Sequence, residues 1–227
     1  MKKIKIGITG CLGRMGQELI KAANKDKRIL ISSLTESKKY NKKINQLSIQ
    51  NNSIEAFKNT DVIIDFTTPE CTMQVLEIAT KLKKKIVIGT TGFTEKQENF
   101  INKLSKKISI LKSGNMSIGV NLLLYITEIV SKSLSNDFLL RVLDQHHKHK
   151  KIFPSGTALM LGEALAKGKS NVLKKMMGKE ITLKKNVFSI VREKKWYYLP
   201  KSNKINFLST KSGDTIGKHS VILTNKK

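Results

Sequence analysis

Cysteine is nearly absent from this chain: Cys11 and Cys71 are the only two in 227 residues, and they form no paired motif. That excludes a disulfide framework and a thiolate zinc site, and it fits a reducing compartment. Long apolar runs are missing as well, and none approaches the length of a membrane span. Met1-Lys2-Lys3-Ile4-Lys5-Ile6 passes directly into a strand pattern, with Lys5 interrupting any signal-peptide core. No membrane partner is expected, and the expected compartment is the cytoplasm. Acidic residues are scarce, 17 against 43 basic ones, which leaves a formal net charge of +26. Such an excess raises nucleic-acid binding as a reading. Arginine, however, is scarcer still. Only Arg14, Arg28, Arg141 and Arg192 occur, and every other basic residue is a lysine in a scattered distribution. A dedicated binding stripe would be clustered and richer in arginine, so the excess reads as lysine used wherever a surface needs polarity. One patch, Lys194-Lys195-Trp196-Tyr197-Tyr198 with Lys201, interleaves aromatics and keeps a single-strand platform open as an alternative. That alternative predicts sequence-independent binding that collapses with rising salt.

What is present is a globular chain, 39% hydrophobic, long enough for one large domain or two small ones. Strand-like and helix-like segments alternate from Ile4 to Lys112, the pattern of a parallel sheet with helices on both faces. The spacing predicts strands at Ile4–Ile8, Ile29–Ile31, Val62–Phe66, Ile86–Ile88 and Ile108–Leu111. After the first strand comes Gly10-Cys11-Leu12-Gly13-Arg14-Met15-Gly16, then a helix carrying Leu19, Ile20, Ala22 and Ala23. Glycines three apart at such a turn let a pyrophosphate approach the backbone and the free N–H groups of a helix start. Glu36, twenty residues beyond Gly16, sits where an acidic side chain meets an adenosine ribose. A carboxylate there favours the free hydroxyl of NAD, whereas Ser37-Lys38-Lys39 offers cations for the phosphate of NADP, so the choice stays open.

The second half begins with a helix expected over Ile118–Leu134 and a strand over Phe138–Leu143. The strand delivers Asp144 and the segment His146-His147-Lys148-His149-Lys150-Lys151-Ile152-Phe153-Pro154-Ser155-Gly156-Thr157-Ala158, which holds three of the four histidines. A helix is expected over Thr157–Ala166, its first turn offering N–H groups to an anion. Short β-like runs follow at Val187–Val191, Trp196–Leu199, Ile205–Leu208 and Ser220–Leu223, which makes this half an α+β domain. One short segment thus supplies a proton donor, a fixed cation and an anion-binding nest. A solvated basic loop is the bland alternative. A metal site through His147 and His149 is the other, and the absence of a nearby carboxylate or cysteine at ligand spacing argues for no metal.

These residues carry a resemblance. Gly10 to Gly16, Asp65-Phe66-Thr67-Thr68-Pro69, Gly89-Thr90-Thr91-Gly92-Phe93, Asn115-Met116-Ser117-Ile118-Gly119-Val120-Asn121 and the histidine segment ending in Pro154-Ser155-Gly156-Thr157-Ala158 together resemble the dihydrodipicolinate reductase family of lysine biosynthesis. The similarity spans essentially the whole chain, with the motifs in the family's order. It implies a Rossmann-type dinucleotide-binding domain over residues 1–116 and a substrate-binding and oligomerisation domain over 117–227. The implied activity is reduction of a cyclic imine dicarboxylate with NADH or NADPH in diaminopimelate and lysine synthesis. His146 and Lys150 are then the catalytic pair, and His147, Gly156 and Thr157 hold the substrate. The cofactor contacts Gly10, Cys11, Leu12, Gly13, Arg14, Met15, Glu36, Gly89, Thr90, Thr91, Ser113, Gly114, Asn115 and Met116. A homotetramer, with chemistry in the cleft between the domains, is also implied. Ile152-Phe153 stands where the family usually has Asp-Ala, so a carboxylate that orients the loop is expected to be missing. Asp144 stands in place of a Glu, and Lys211 in place of an Arg. The family continues past the position of Lys227, so a missing C-terminal return and an exposed apolar surface on the first domain are expected. A nucleotide-binding relative that has lost catalysis is the remaining alternative.

Overall fold

The computed structural model describes residues 2–38, 40–148, 150, 153–183, 204–211, 213–215 and 217–225. Two compact units divide at Gly114 and Asn115. The first contains β1 (Ile4–Thr9), α1 (Arg14–Lys25), β2 (Ile29–Glu36), β3 (Lys43–Ile44), β4 (Leu47–Asn51), α2 (Ile54–Phe57), β5 (Val62–Asp65), α3 (Pro69–Lys81), β6 (Lys85–Ile88), α4 (Glu95–Leu104) and β7 (Ile110–Lys112). Its strands make one seven-stranded sheet in the order β3-β4-β2-β1-β5-β6-β7. Every pairing is parallel except the β3–β4 hairpin.

Parallel strands buried on both faces read as continuous apolar runs, and Ile63, Ile86 and Ile88 are accordingly almost fully buried. Val75, Leu76 and Ala79 of α3 and Ile101 and Leu104 of α4 pack with them. Ile20 and Ala23 of α1 pack with Ile6, Ile8, Ile31, Leu34 and Ile49 in a second cluster. The order reverses at β1, which has β2 on one side and β5 on the other. Ligands of such sheets bind beyond the carboxyl ends of the strands at that switch point, which is where Gly10 follows Thr9.

The second unit contains α5 (Ile118–Ser133), β8 (Phe138–His146), α6 (Gly156–Gly168), α7 (Leu173–Met176), β9 (Met177–Leu183), β10 (Ile205–Lys211) and β11 (Lys218–Asn225). The four strands form one mixed sheet in the order β11-β8-β10-β9, with only the β11–β8 pair antiparallel. Leu161 and Leu165 of α6 close its core over Leu140, Val142, Ile205 and Phe207. β8 runs three residues past the expected end, so Asp144 and His146 lie in the strand itself. The runs expected at Val187–Val191 and Trp196–Leu199, with the aromatic-basic patch, lie outside the described residues.

Apolar exposure differs in place from the expectation. In the first unit the exposed large apolar side chains are scattered, whereas α5 presents Ile118, Leu122, Tyr125, Ile126 and Ile129 outward and buries Thr127 and Ser131. Ser131 donates to the carbonyl of Leu165 at 2.8 Å, which ties α5 to α6. Among the described residues no helix is long and apolar enough to cross a membrane.

Candidate active site

The glycine turn is built from backbone constraints. Gly10 has φ +61°, and a Cβ there would stand 2.7 Å from Thr67 Cγ2. A Cβ on Gly16 would lie 2.2 Å from the Gly10 carbonyl oxygen, so α1 can start this close to the turn only with glycine at position 16. Gly13 is the N-cap of α1 and provides no side-chain cap, and the first helical bond runs from Gln17 N–H to Gly13 O at 3.0 Å. The N–H groups of Arg14, Met15 and Gly16 therefore form the open first turn. The expected cofactor residues are not equivalent here. Cys11 donates its N–H to Thr35 O at 3.2 Å, Gly13 donates to Gly10 O at 3.0 Å, and Leu12 donates to Glu36 Oε1 at 2.7 Å. Glu36 thus reaches back to the turn and accepts one of its N–H groups. The Cys11 side chain is fully buried, and burial, with the Glu36 charge adding to it, pushes the thiol up to about 11. The turn suits the pyrophosphate of a dinucleotide, since the first-turn N–H groups of α1 have no intrahelical acceptor.

The neighbouring turns are held by a buried carboxylate. Asp65, at the end of β5 and fully buried, accepts from four threonine hydroxyls. Thr9 and Thr67 donate to Oδ1 at 2.6 Å each, while Thr90 at 3.1 Å and Thr72 donate to Oδ2. Thr67 N–H in turn donates to Thr90 Oγ1 at 2.9 Å. The Thr90 hydroxyl is therefore paired inside the protein, whereas Thr91 is exposed; Gly89 donates its N–H to Asp65 O at 2.8 Å and must be glycine because a Cβ there would stand 2.0 Å from the Phe66 ring. Sequence reasoning identified the Asp65–Pro69 motif but not this convergence, whose donors come from β1, the β5 turn, α3 and the β6 turn.

In the second unit the histidine segment leaves the end of β8. Lys148 N–H bonds to Gly213 O, and Lys150 N–H to His147 O, both at 3.1 Å. Lys150 and His147 are half-buried, and His149 lies outside the described residues. Asn115, expected at the cofactor, donates to Oγ1 of Thr157, expected at the substrate, at 3.2 Å. Ser155 is the N-cap of α6, its Oγ accepting from Ala158 N–H at 3.2 Å. Gly156 opens that helix, and a Cβ on it would meet no described atom within 4 Å.

Asp144 organises this end of the unit. The carboxylate is fully buried, and Ser155 donates to it twice, N–H to Oδ2 at 2.6 Å and Oγ–H to Oδ1 at 2.8 Å. Phe153 before Pro154 carries no carboxylate, and the start of α6 is held instead by Asp144 of β8, eleven residues before Ser155. His146 Nε2 lies 2.8 Å and His219 Nε2 3.1 Å from the same Oδ1. Burial alone would push the Asp144 carboxyl up; the hydrogen bonds from His219 and Ser155 and the charge of His146 outweigh it and hold the group below the usual carboxylate range. The argument that no carboxylate lies near the histidines also needs correcting, because Asp144, His146 and His219 bring three donor atoms within 4.8 Å of one another. His219 and Ser155 hydrogen-bond to the carboxylate, and His146 stands within ion-pair distance of it. Sequence reasoning missed His219, since only the antiparallel register of β11 on β8 sets it opposite Asp144.

A glycine turn at the switch point of a parallel sheet, followed by a unit carrying a buried carboxylate–imidazole cluster, defines an oxidoreductase that works with a nicotinamide dinucleotide. Residues 4–116 match the family described as dihydrodipicolinate reductase, N-terminus, and residues 119–227 match dihydrodipicolinate reductase, C-terminus. The chain belongs to the dihydrodipicolinate reductase family. It is 52% identical to the 4-hydroxy-tetrahydrodipicolinate reductase of Pelagibacter ubique over 227 residues, which is all of this chain and 83% of that protein. It is 37% identical to the same-named protein of Buchnera aphidicola from Schizaphis graminum over 236 aligned positions, 99% of this chain and 82% of that one. A dipicolinate-bound dihydrodipicolinate reductase from Paenisporosarcina sp. TG-14 shares the fold, with a TM-score of 0.69 at 18% identity over 99% of this chain and 88% of that chain. Both halves of the family are matched, and the comparisons do not show a missing C-terminal segment.

Proposed function

We propose that this chain reduces the cyclic imine dicarboxylate derived from 4-hydroxy-tetrahydrodipicolinate to tetrahydrodipicolinate, with His146 as proton donor and Lys150 as the cation beside the reacting bond. The dinucleotide is held by the first turn of α1, by Glu36 and by the turns at Gly89–Thr91 and Ser113–Met116; when bound, NADH or NADPH supplies the hydride. Reduction of a conjugated imine builds electron density on the ring, which a nearby ammonium stabilises and an imidazolium neutralises by proton transfer. His147, Gly156 and Thr157 hold the carboxylates, Gly156 and Thr157 at the positive end of α6. The observation that carries this reading is the single Asp144 carboxylate, which fixes both the start of α6 through Ser155 and the imidazole of His146. Acid and anion site are thereby held in register.

The test mixes the purified chain with NADH or NADPH and freshly prepared substrate and follows the nicotinamide absorbance. No turnover at high enzyme concentration rejects the reading. Tight cofactor binding that is indifferent to dipicolinate, with no turnover, supports instead the relative that has lost catalysis. Gly156→Ala gives a finer check. Because the added methyl meets open space, stability is expected to stay within about 0.5 kcal/mol, while KM for the substrate rises several-fold. An unchanged KM would remove Gly156 from the binding site. As in the family, a homotetramer assembled through the sheet of the second unit, working in the cytoplasm, completes the reading; a monomer mass by light scattering would reject that assembly.

A further inference from the structure

We propose that His219 is a positioning residue that governs proton transfer by His146 through the carboxylate the two imidazoles share. The inference rests on the reading of His146 as proton donor. Asp144 and His146 are two apart on β8 and so project from the same face of the sheet, and the β11 register sets His219 directly across from Asp144. Both Nε2 atoms converge on Oδ1, at 2.8 Å for His146 and 3.1 Å for His219, and the rings meet edge to face with centroids 5.3 Å apart. Gly217 makes this packing attainable, since even a Cβ there would stand only 3.1 Å from His146 Cε1 and 3.4 Å from His219 Cε1.

The cluster is largely buried: the side chains of Asp144, His146 and His219 are 0%, 10% and 14% exposed. One carboxylate balances one imidazolium in such surroundings, and a second imidazolium would stand uncompensated beside the first. The two histidines therefore compete for Asp144, and each proton held on His219 loosens the proton on His146. Ser155 takes part as well, its Oγ lying 3.1 Å from His219 Nε2, so the competition reaches the residue that caps the substrate-binding helix. Among the described residues, other charged or titratable groups near His146 include Lys211, its register partner on β10, Lys218, beside His219 on β11, and His147, next to it in the chain. All three remain when His219 is replaced.

His219→Gln keeps a donor near the carboxylate and removes the titrating ring. With the competitor gone, Asp144 holds the His146 proton more firmly, so His146 stays in its acid form to higher pH. The alkaline limb of the kcat profile is expected to move up by about one pH unit, with KM for the nicotinamide cofactor unchanged. A loss of kcat that is uniform across pH, with the limb unmoved, would make His219 merely structural and overturn the proposal. A second measurement does not depend on turnover. The chain has four histidines, so labelled imidazole resonances can be followed through a pH titration. The His146 curve is expected to move to higher pH in His219→Gln, and an unmoved curve overturns the coupling. Failure of the unsubstituted chain to reduce the substrate would count against the proposed function, whereas the imidazole titration decides the coupling by itself.

Discussion

Lys150→Ala is expected to lower kcat by about 10²–10³-fold while NADH or NADPH binds nearly as before, the range associated with removal of one group that stabilises charge in the transition state. The asymmetry follows from where the residue sits. Lys150 belongs to the segment leaving β8, its N–H tied to His147 O at 3.1 Å, while the glycine turn and Glu36 belong to the other unit. An ammonium that meets charge only as the imine accepts electrons acts on the transition state more than on either bound ground state. Lys150→Arg, with a larger and planar cation, is expected to recover only part of the loss. Steady-state kinetics with a separate cofactor titration check both statements. Unchanged turnover in Lys150→Ala removes the residue from the mechanism, and loss of cofactor affinity instead of turnover reassigns it.

The second large effect concerns stability. Asp65→Ala strips the shared acceptor from Thr9, Thr67, Thr72 and Thr90 at the centre of the first unit and leaves a void beside them. Hydrogen bonds to a charged acceptor contribute more than neutral ones; Thr9 and Thr72 keep the carbonyls of Ile64 and Thr68 within reach at 3.2 and 3.0 Å, while Thr90 bears the desolvation penalty of a stranded donor. A loss of about 3–5 kcal/mol is expected, seen as a melting temperature lower by about 6–20 °C for a chain of this size. Asp65→Asn is expected to lose less, because its carbonyl still accepts and threonine hydroxyls can turn to accept from its amide. Cofactor affinity should fall in both, since Thr90 holds the turn beside Gly89 and Thr91. A melting temperature unchanged in Asp65→Ala would show that the four hydroxyls are equally well satisfied without the carboxylate.

The first unit was the more legible half because parallel strands covered on both faces leave unmistakable apolar runs, as in Val62-Ile63-Ile64 and Ile86-Val87-Ile88. The β3–β4 hairpin escaped for a local reason. Asn45 and Gln46 turn it with φ of +50° and +66°, and hairpins of that handedness are ordinarily read from glycine. The glycine turn and the histidine segment could be found as motifs, since each lies within a few consecutive residues. Asp144 could be placed near the histidines but not assigned its work, because a buried carboxylate on a strand looks like any polar residue after an apolar run. His219 and the threonines around Asp65 reach their partners through strand pairing and helix packing between distant segments, and no local pattern announces that. The length of β8 was underestimated for a related reason: Asp144-Gln145-His146 is polar in composition yet buried, and only its contacts explain why.

Pairing on β8 also sets where the chain tolerates change. Neighbouring positions of β11 face opposite ways, so sliding that strand by a single step would present Lys218 or Ser220 to the acid and turn the ring to the reverse side. The same slip would turn Val221 and Leu223 away from the core they pack against. An insertion or deletion of one amino acid in the 212–217 connection therefore threatens the acid cluster and the packing of β11 together, and natural variation in that stretch should change letters more readily than length.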